Sequence, residues 1–266
     1  AEAGRDPTLM RAQSFTERQA ADEARREEAR FNAIAHFDDE ELRAVTAELE
    51  KLKAEAKALS GMKKELVELR EKAKDKFKAV HGHTITYLPF AISAVAAALR
   101  HHPMINSSWG GNEVIQHSVI NIGFAVASVD GLIVPVIRDA AGMNLTELTG
   151  EIDRLTIGAR NKGLKPHDVR DGTFTVNNTG ALGSVASGPI IVPGQAGILT
   201  TEAIVKRPVV VDLDVIEARW IMNMCMSFDH RILDGADVAV FLKSVKMMVE
   251  GIDLDTDLKG PLVLDQ

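Results

Sequence analysis

The chain has a single cysteine, Cys225, among 266 residues, and only 5% aromatic side chains. One cysteine cannot form an internal disulfide, a usage that fits a reducing compartment. The flanking Met224 and Met226 mark Cys225 as a core thiol, since no basic neighbour in sequence lowers its pKa. Basic charge is also in deficit. The net charge is -7, so the chain offers no overall basic face for nucleic acid. No apolar run reaches the length of a membrane span, and the N-terminus carries no signal-peptide pattern. The expectation is a cytoplasmic protein, or a mitochondrial-matrix one if eukaryotic.

Glycine and proline are missing from one region only. None occurs between Pro7 and Gly61, a stretch rich in Ala, Glu, Lys, Arg and Leu. Ser14-Phe15-Thr16-Glu17 reads as a capping box opening a helix to about Phe31. Asp38 and Glu41 open a second helix to about Ser60, with Leu49, Leu52, Ala56 and Leu59 as its apolar stripe. Mixed charge on the polar faces argues against a membrane-surface helix. The composition is like that of idealised helix design, so a natural and an engineered extension both fit it. Residues 1–62 are therefore read as a charged helical extension, and 63–266 as a separate domain.

A third helix is expected from about Lys63 to Val80, with Leu66, Leu69, Ala73 and Phe77 on one face. From Thr84 the pattern becomes α/β. Leu88–Leu99 is an apolar helix with Pro89 in its first turn, stopped by His102-Pro103. Val119–Ala127 and Leu132–Ile137 read as strands about an Asp-Gly turn, and Leu145–Asn161 as a helix capped by Asn144 or Thr146. Further strands are expected at Thr173–Val176, Ala196–Ile204, Arg207–Val211 and Arg219–Met226. A closing helix carries Val238, Phe241, Leu242, Val245 and Val249 inward. These elements predict a two-layer α/β domain with a mixed, largely non-parallel sheet, and no phosphate loop of the Walker or Rossmann type.

The chemistry concentrates in Ser227-Phe228-Asp229-His230-Arg231-Ile232-Leu233-Asp234-Gly235. A histidine between a strand and a helix can face a pocket from a turn held on both sides. His230 has the chemistry of a general base, since imidazole titrates near neutrality. Asp234 sits where the last helix needs its N-cap. The pattern H-x-x-x-D-G is short enough to recur by chance, and by itself is better read as a capped helix preceded by a polar turn residue.

The wider sequence resembles the dihydrolipoamide acyltransferases, the E2 components of 2-oxo acid dehydrogenase complexes. Ordered matches include Ile85-Thr86-Tyr87-Leu88-Pro89-Phe90, His102 to Trp109, Asn121 to Ala127, Asp130 to Arg138, Gly172 to Gly180 and Ile204 to Val210. The resemblance runs from about Glu65 to about Glu250. It implies a chloramphenicol-acetyltransferase-like α/β domain and a homotrimer, with 24-subunit or 60-subunit cores built from such trimers. It also implies an active-site channel between subunits, entered by coenzyme A and by a lipoyl arm. Within it His230 aligns with the general base, Asp234 with an aspartate that orders the site, and Asn177 with the position of an oxyanion-stabilising hydroxyl. An asparagine amide can donate that hydrogen bond; the alternative is that Asn177 belongs to a structural turn and a backbone N–H is the donor.

The implied reaction is acyl transfer, acetyl or branched-chain, between dihydrolipoamide and coenzyme A without an acyl-enzyme. Ala181, Gly183 and Gly188 are candidates for shaping an acyl pocket. Lys206 and Arg207 suit coenzyme A phosphates or solvated strand ends alike. His101, His102 and His117 lack metal-like spacing and are expected at the surface, with no metal implied.

The sequence departs from the family in three places. A lipoyl domain and a subunit-binding domain are not recognisable, so the lipoyl group is expected from a separate domain, and E1 and E3 components only through domains supplied elsewhere. The family's basic helix and strand before the position of Glu65, a source of the arginine that pairs with its aspartate, are replaced by the charged extension. The ending Asp253–Gln266 differs from the family's. An alternative reading from these departures is an oligomeric scaffold built on such a core, with little activity.

Overall fold

The computed structural model describes residues 66–128, 131–212 and 215–261, all within one compact unit, Lys63–Gln266. The two helices expected within 1–62 lie outside the described residues.

Helix α1 (Leu66–His81) buries Phe77 and half-buries Leu66, Leu69 and Ala73, the predicted face. Gly82 ends it at φ 80°, a left-handed conformation that glycine adopts without a Cβ clash, and donates to the Lys78 carbonyl. Helix α2 (Leu88–His101) has Pro89 in its first turn and is buried continuously from Pro89 to Leu99. A helix apolar on all sides belongs inside a core. Helix α3 (Leu145–Arg160) begins at a capping box. The Asn144 side chain accepts the Glu147 N–H, and Glu147 accepts the Asn144 N–H, each at 2.9 Å.

Eleven strands are described: β1 (Ser107–Trp109), β2 (Val114–Gln116), β3 (Ile122–Phe124), β4 (Val126–Ser128), β5 (Gly131–Ile133), β6 (Val136–Ile137), β7 (Phe174–Asn178), β8 (Gly197–Thr201), β9 (Val205–Asp212), β10 (Val215–Ile221) and β11 (Met224–Phe228). The central sheet has the order β11-β8-β7-β3-β6. Its two inner pairings, β3–β7 and β7–β8, are parallel; the two outer ones are antiparallel. The sheet is thus mixed as expected, with more parallel pairing than expected. Phe174, Val176 and Leu199 point from it into a core shared with Phe90, Leu99, Leu148 and Phe241. Helix α4 (Gly235–Glu250) buries Val238, Phe241, Val245 and Met248, and a short α5 (Leu254–Asp257) follows.

Three strand expectations are corrected. Val119–Ala127 and Leu132–Ile137 are each broken, so that β3 and β6 stay in the central sheet while β4 and β5 leave it as a separate hairpin. Pro135 sits at one break; it lacks an N–H for the ladder, while its carbonyl still accepts from Phe124. The expected strand Arg219–Met226 is two strands. β10 pairs with β9 in a two-stranded ribbon and β11 pairs with β8. Asn223, between them, accepts the Glu202 N–H and donates its side-chain amide to the Val185 carbonyl, which fixes the break. The β1–β2 hairpin falls where no element was expected, with β1 at the end of the His102–Trp109 match and β2 beyond it.

Candidate active site

His230 lies in the turn between β11 and α4, and it is exposed. Both flanks of the turn are fixed. Upstream, the Asp229 N–H donates to the Ala196 carbonyl, which ties the turn to the start of β8. The Asp229 carbonyl accepts the N–H groups of Ile232 and Leu233. Downstream, Asp234 is the N-cap of α4; its carboxylate accepts the N–H groups of Ala236 at 2.8 Å and Asp237 at 3.2 Å. Asp237 in turn accepts the Asp234 N–H at 3.1 Å. The imidazole of His230 leans on the ring of Phe228, with centroids 5.3 Å apart and a tilt of 42°.

The Asp229 carboxylate is held by the Arg231 guanidinium, with Nη2 to Oδ2 at 2.6 Å and Nε to Oδ1 at 2.9 Å. That hydrogen-bonded cation holds the Asp229 carboxyl below the usual carboxylate range, against the opposing effect of burial. The guanidinium carbon of Arg231 also lies 5.4 Å from the centroid of the Trp109 ring, on β1. Among the described residues, the hydrogen bonds accepted by the Asp234 carboxylate come from backbone N–H groups, in agreement with its reading as a cap. The region before Glu65, where the resemblance led to the expectation of an arginine partner for this aspartate, lies outside the described residues.

Asn177 is half-buried on β7, opposite Thr200 of β8, which is opposite Cys225 of β11. Strand residues in register share a face, so these three side chains lie on the sheet face away from Val176, Leu199 and Met226. The Thr200 hydroxyl is buried beside Asn177 and has no hydrogen-bond partner among the described residues. Asn177 and His230 do not meet within one chain. Three residues of rise, about 10 Å, and two strand spacings of about 4.8 Å separate Asn177 from Phe228, and His230 lies beyond it.

Cys225 is half-buried rather than buried in the core, because it projects to the outer face of the edge strand β11. On the same face, the Glu202 carboxylate accepts hydrogen bonds from the hydroxyls of Thr179 and Ser187. Glu202 is nearly inaccessible; these donors bring its pKa below the ordinary glutamate value although burial opposes them. Met226 and Phe228 are partly buried and pack against the core.

Two of the three histidines expected at the surface are not there. His102 is half-buried, its Nε2 2.9 Å from the Ser244 hydroxyl and its ring edge-on to Phe241. Burial, then the neighbouring His101, pushes its pKa down. His117 is half-buried, with Nε2 enclosed. Both close the junction after α2, where the unforeseen β1–β2 hairpin folds back. Lys206 and Arg207 are exposed on β9, with the Lys206 ammonium 5.8 Å from the Trp220 ring centroid.

A cavity of about 670 Å³ opens on the helical side, near the carboxyl ends of β7 and β8. Ala181 lines it, while Gly183, Gly188, Asn177 and His230 do not. Among the described residues no cluster of three His, Cys, Asp or Glu side chains is arranged to hold a metal ion, and no helix is long and apolar enough to cross a membrane.

Comparison with known proteins places this geometry in a family. Residues 62–255 match the 2-oxoacid dehydrogenases acyltransferase (catalytic domain) family, and the chain belongs to it. The lipoamide acyltransferase component of the branched-chain alpha-keto acid dehydrogenase complex of Bacillus subtilis is 45% identical over 193 residues, 73% of this chain and 46% of that relative. The chain thus spans under half of that relative's length. Among solved structures, a probable dihydrolipoamide acetyltransferase from Listeria monocytogenes superposes with a TM-score of 0.71 at 46% identity, covering 73% of this chain and 82% of that one. The cubic core of a pyruvate dehydrogenase multienzyme complex superposes with a TM-score of 0.67 at 32% identity, covering 70% of this chain and 76% of that one.

Proposed function

We propose that the chain transfers an acyl group, acetyl or branched-chain, between dihydrolipoamide and coenzyme A, with His230 as general base. The observation that carries this reading is the exposed imidazole of His230, on a turn fixed by Asp229 upstream and by the Asp234 cap downstream.

A thiol of pKa about 8.5 is mostly protonated near neutrality. As its sulfur attacks the thioester carbonyl, His230 takes the thiol proton. The carbonyl electrons move to oxygen, and the side-chain amide of Asn177 donates a hydrogen bond to that oxyanion. Collapse of the tetrahedral intermediate breaks the old carbon–sulfur bond, and the departing thiolate takes the proton from the imidazolium. A positioned base contributes about 10² to 10⁴ in rate, and an oxyanion donor about 10² to 10³. The transfer runs directly from one thiol to the other, so Cys225 is assigned no part in it.

Asn177 and His230 lie far apart along the sheet, so one substrate carbonyl meets both at a junction of two copies. A homotrimer supplies such junctions. The ribbon β9–β10 supports association, since it exposes Val210, Val211, Val215, Ile216 and Trp220. The cubic core among the solved relatives favours trimers that assemble further, into 24-subunit or 60-subunit particles. The lipoyl arm comes from a separate domain, and E1 and E3 components join through domains outside the catalytic unit.

The test pairs an acyl-transfer assay, with acetyl- or isobutyryl-coenzyme A and dihydrolipoamide, with mass by light scattering. Transfer by a trimeric or larger particle is the expected result. A large particle with no transfer above background would instead make the chain a structural scaffold.

A further inference from the structure

The turn that carries His230 is tied to a distant hairpin by a device outside the general-base reading. Asp229 and Arg231, the two neighbours of His230, are joined to each other. Arg231 donates its backbone N–H to Asp229 Oδ1 at 3.0 Å, and its guanidinium grips both carboxylate oxygens. The Arg231 side chain nonetheless remains 63% exposed, so an intra-turn ion pair by itself would leave it free to swing into solvent. The ring of Trp109 limits that swing by lying against the guanidinium at 5.4 Å.

Trp109 is itself anchored. It belongs to β1, paired in register with Val114 of β2. The root of that hairpin is held by Asn106, which donates to the carbonyls of His117 and Val119, and by Ser107, which donates to Met104. On its other side the turn is tied to β8 through Asp229. The rings of Phe228 and His230 then meet within that frame.

We propose that Asp229, Arg231 and Trp109 form a clamp that sets the position of the His230 imidazole, so that Arg231 and Trp109 are positioning residues for the acyl transfer. The proposal rests on His230 being the base. Lysine at position 231 would keep the charge and lose the planar fork that meets both carboxylate oxygens and stacks on an indole. A small displacement of a reacting group costs on the order of 10²-fold in rate. The effect falls on kcat, because the clamp residues are not assigned to substrate binding.

The clamp also balances charge beside His230. The nearby carboxylates Asp234 and Asp237 cap α4 and are unchanged in every variant. In R231M the Asp229 carboxylate is uncompensated; an anion favours the imidazolium, so the acid limb of the kcat/KM profile moves to higher pH. In D229N the Arg231 cation is uncompensated, and the limb moves to lower pH.

The experiment measures transfer between acetyl-coenzyme A and dihydrolipoamide from pH 5.5 to about 9, on the full chain, with folding checked by circular dichroism. The variants are W109F, W109L, R231K, R231M, D229N and H230A. The expected result is a roughly 10- to 100-fold loss of kcat in W109L and R231K with little change in KM, near-normal kcat in W109F, and opposite limb movements in R231M and D229N. Wild-type kcat in both W109L and R231K, with H230A inactive, overturns the clamp and leaves the base reading intact. Lower kcat with the limb unmoved in R231M and D229N also overturns it, leaving a purely structural tie. Wild-type turnover in H230A removes the base reading itself. W109F and R231K keep the question answerable if W109L or R231M fails to fold.

Discussion

Asp234 and Asp237 cap each other's backbone: the Asp234 carboxylate accepts the Asp237 N–H at 3.2 Å, and the Asp237 carboxylate accepts the Asp234 N–H at 3.1 Å. This pair starts α4 and ends the His230 turn, so helix stability and site geometry depend on the same side chain. D234A is expected to lose about 1 kcal/mol of stability, together with a fall in transfer. D234N keeps an N-cap acceptor and should recover most of the stability. A shift in urea midpoint checks the first effect and an acyl-transfer assay the second.

Asn177 is expected to act on the oxyanion. N177A should lower kcat by about 10² with little change in the affinity for coenzyme A. Steady-state kinetics separate the two quantities. Wild-type turnover in N177A would transfer the role to a backbone N–H.

The buried Asp168 makes the domain sensitive to acid. Its carboxylate accepts from Arg154 Nη2 and from the Lys165 N–H, each at 2.8 Å, and the Arg154 bond is the largest cause of its depressed pKa. A folded-state pKa below the unfolded value of about 3.9 gives stability that is complete above that value and is lost as pH falls through the folded pKa. R154L should therefore be less stable than the parent at pH 7, and the difference should narrow as pH falls below about 4. Urea midpoints at pH 7 and pH 3 measure this. A difference that stays constant would assign the loss to packing alone.

Association is expected to use the β9–β10 ribbon, where Val210 is 64% and Ile216 is 67% exposed. Charges at these positions should be tolerated by the fold and should oppose burial between copies. The double variant V210E/I216E is expected to dissociate to smaller species by light scattering while keeping its circular dichroism spectrum. An unchanged particle mass would place the subunit contact elsewhere.

The helices were legible in the sequence because their signals are local. Asn144 with Glu147, Pro89, and Asp234 each mark an end, a period of 3.6 marks the buried faces of α1 and α4, and an unbroken apolar run marks α2. The sheet was less legible, since a run of apolar residues does not say with which strand each part pairs. Met222-Asn223 divides one alternating run only because β9 and β8 compete for its halves. Pro135 was the one visible sign that Leu132–Ile137 is broken. His230, Asp234 and Asn177 stood in recognisable motifs. Arg231 was also in plain sight, yet its partner Trp109 lies over a hundred residues away on a hairpin with weak strand signals. The buried Glu202, held by hydroxyls from separate segments, had no signal of its own.

The central claim is tested most directly by the turnover of H230A, assayed as transfer of acetyl from coenzyme A to dihydrolipoamide at matched assembly state. A loss of at least about 10² in kcat, with the particle mass unchanged, is the predicted result. Turnover equal to the parent chain would contradict it.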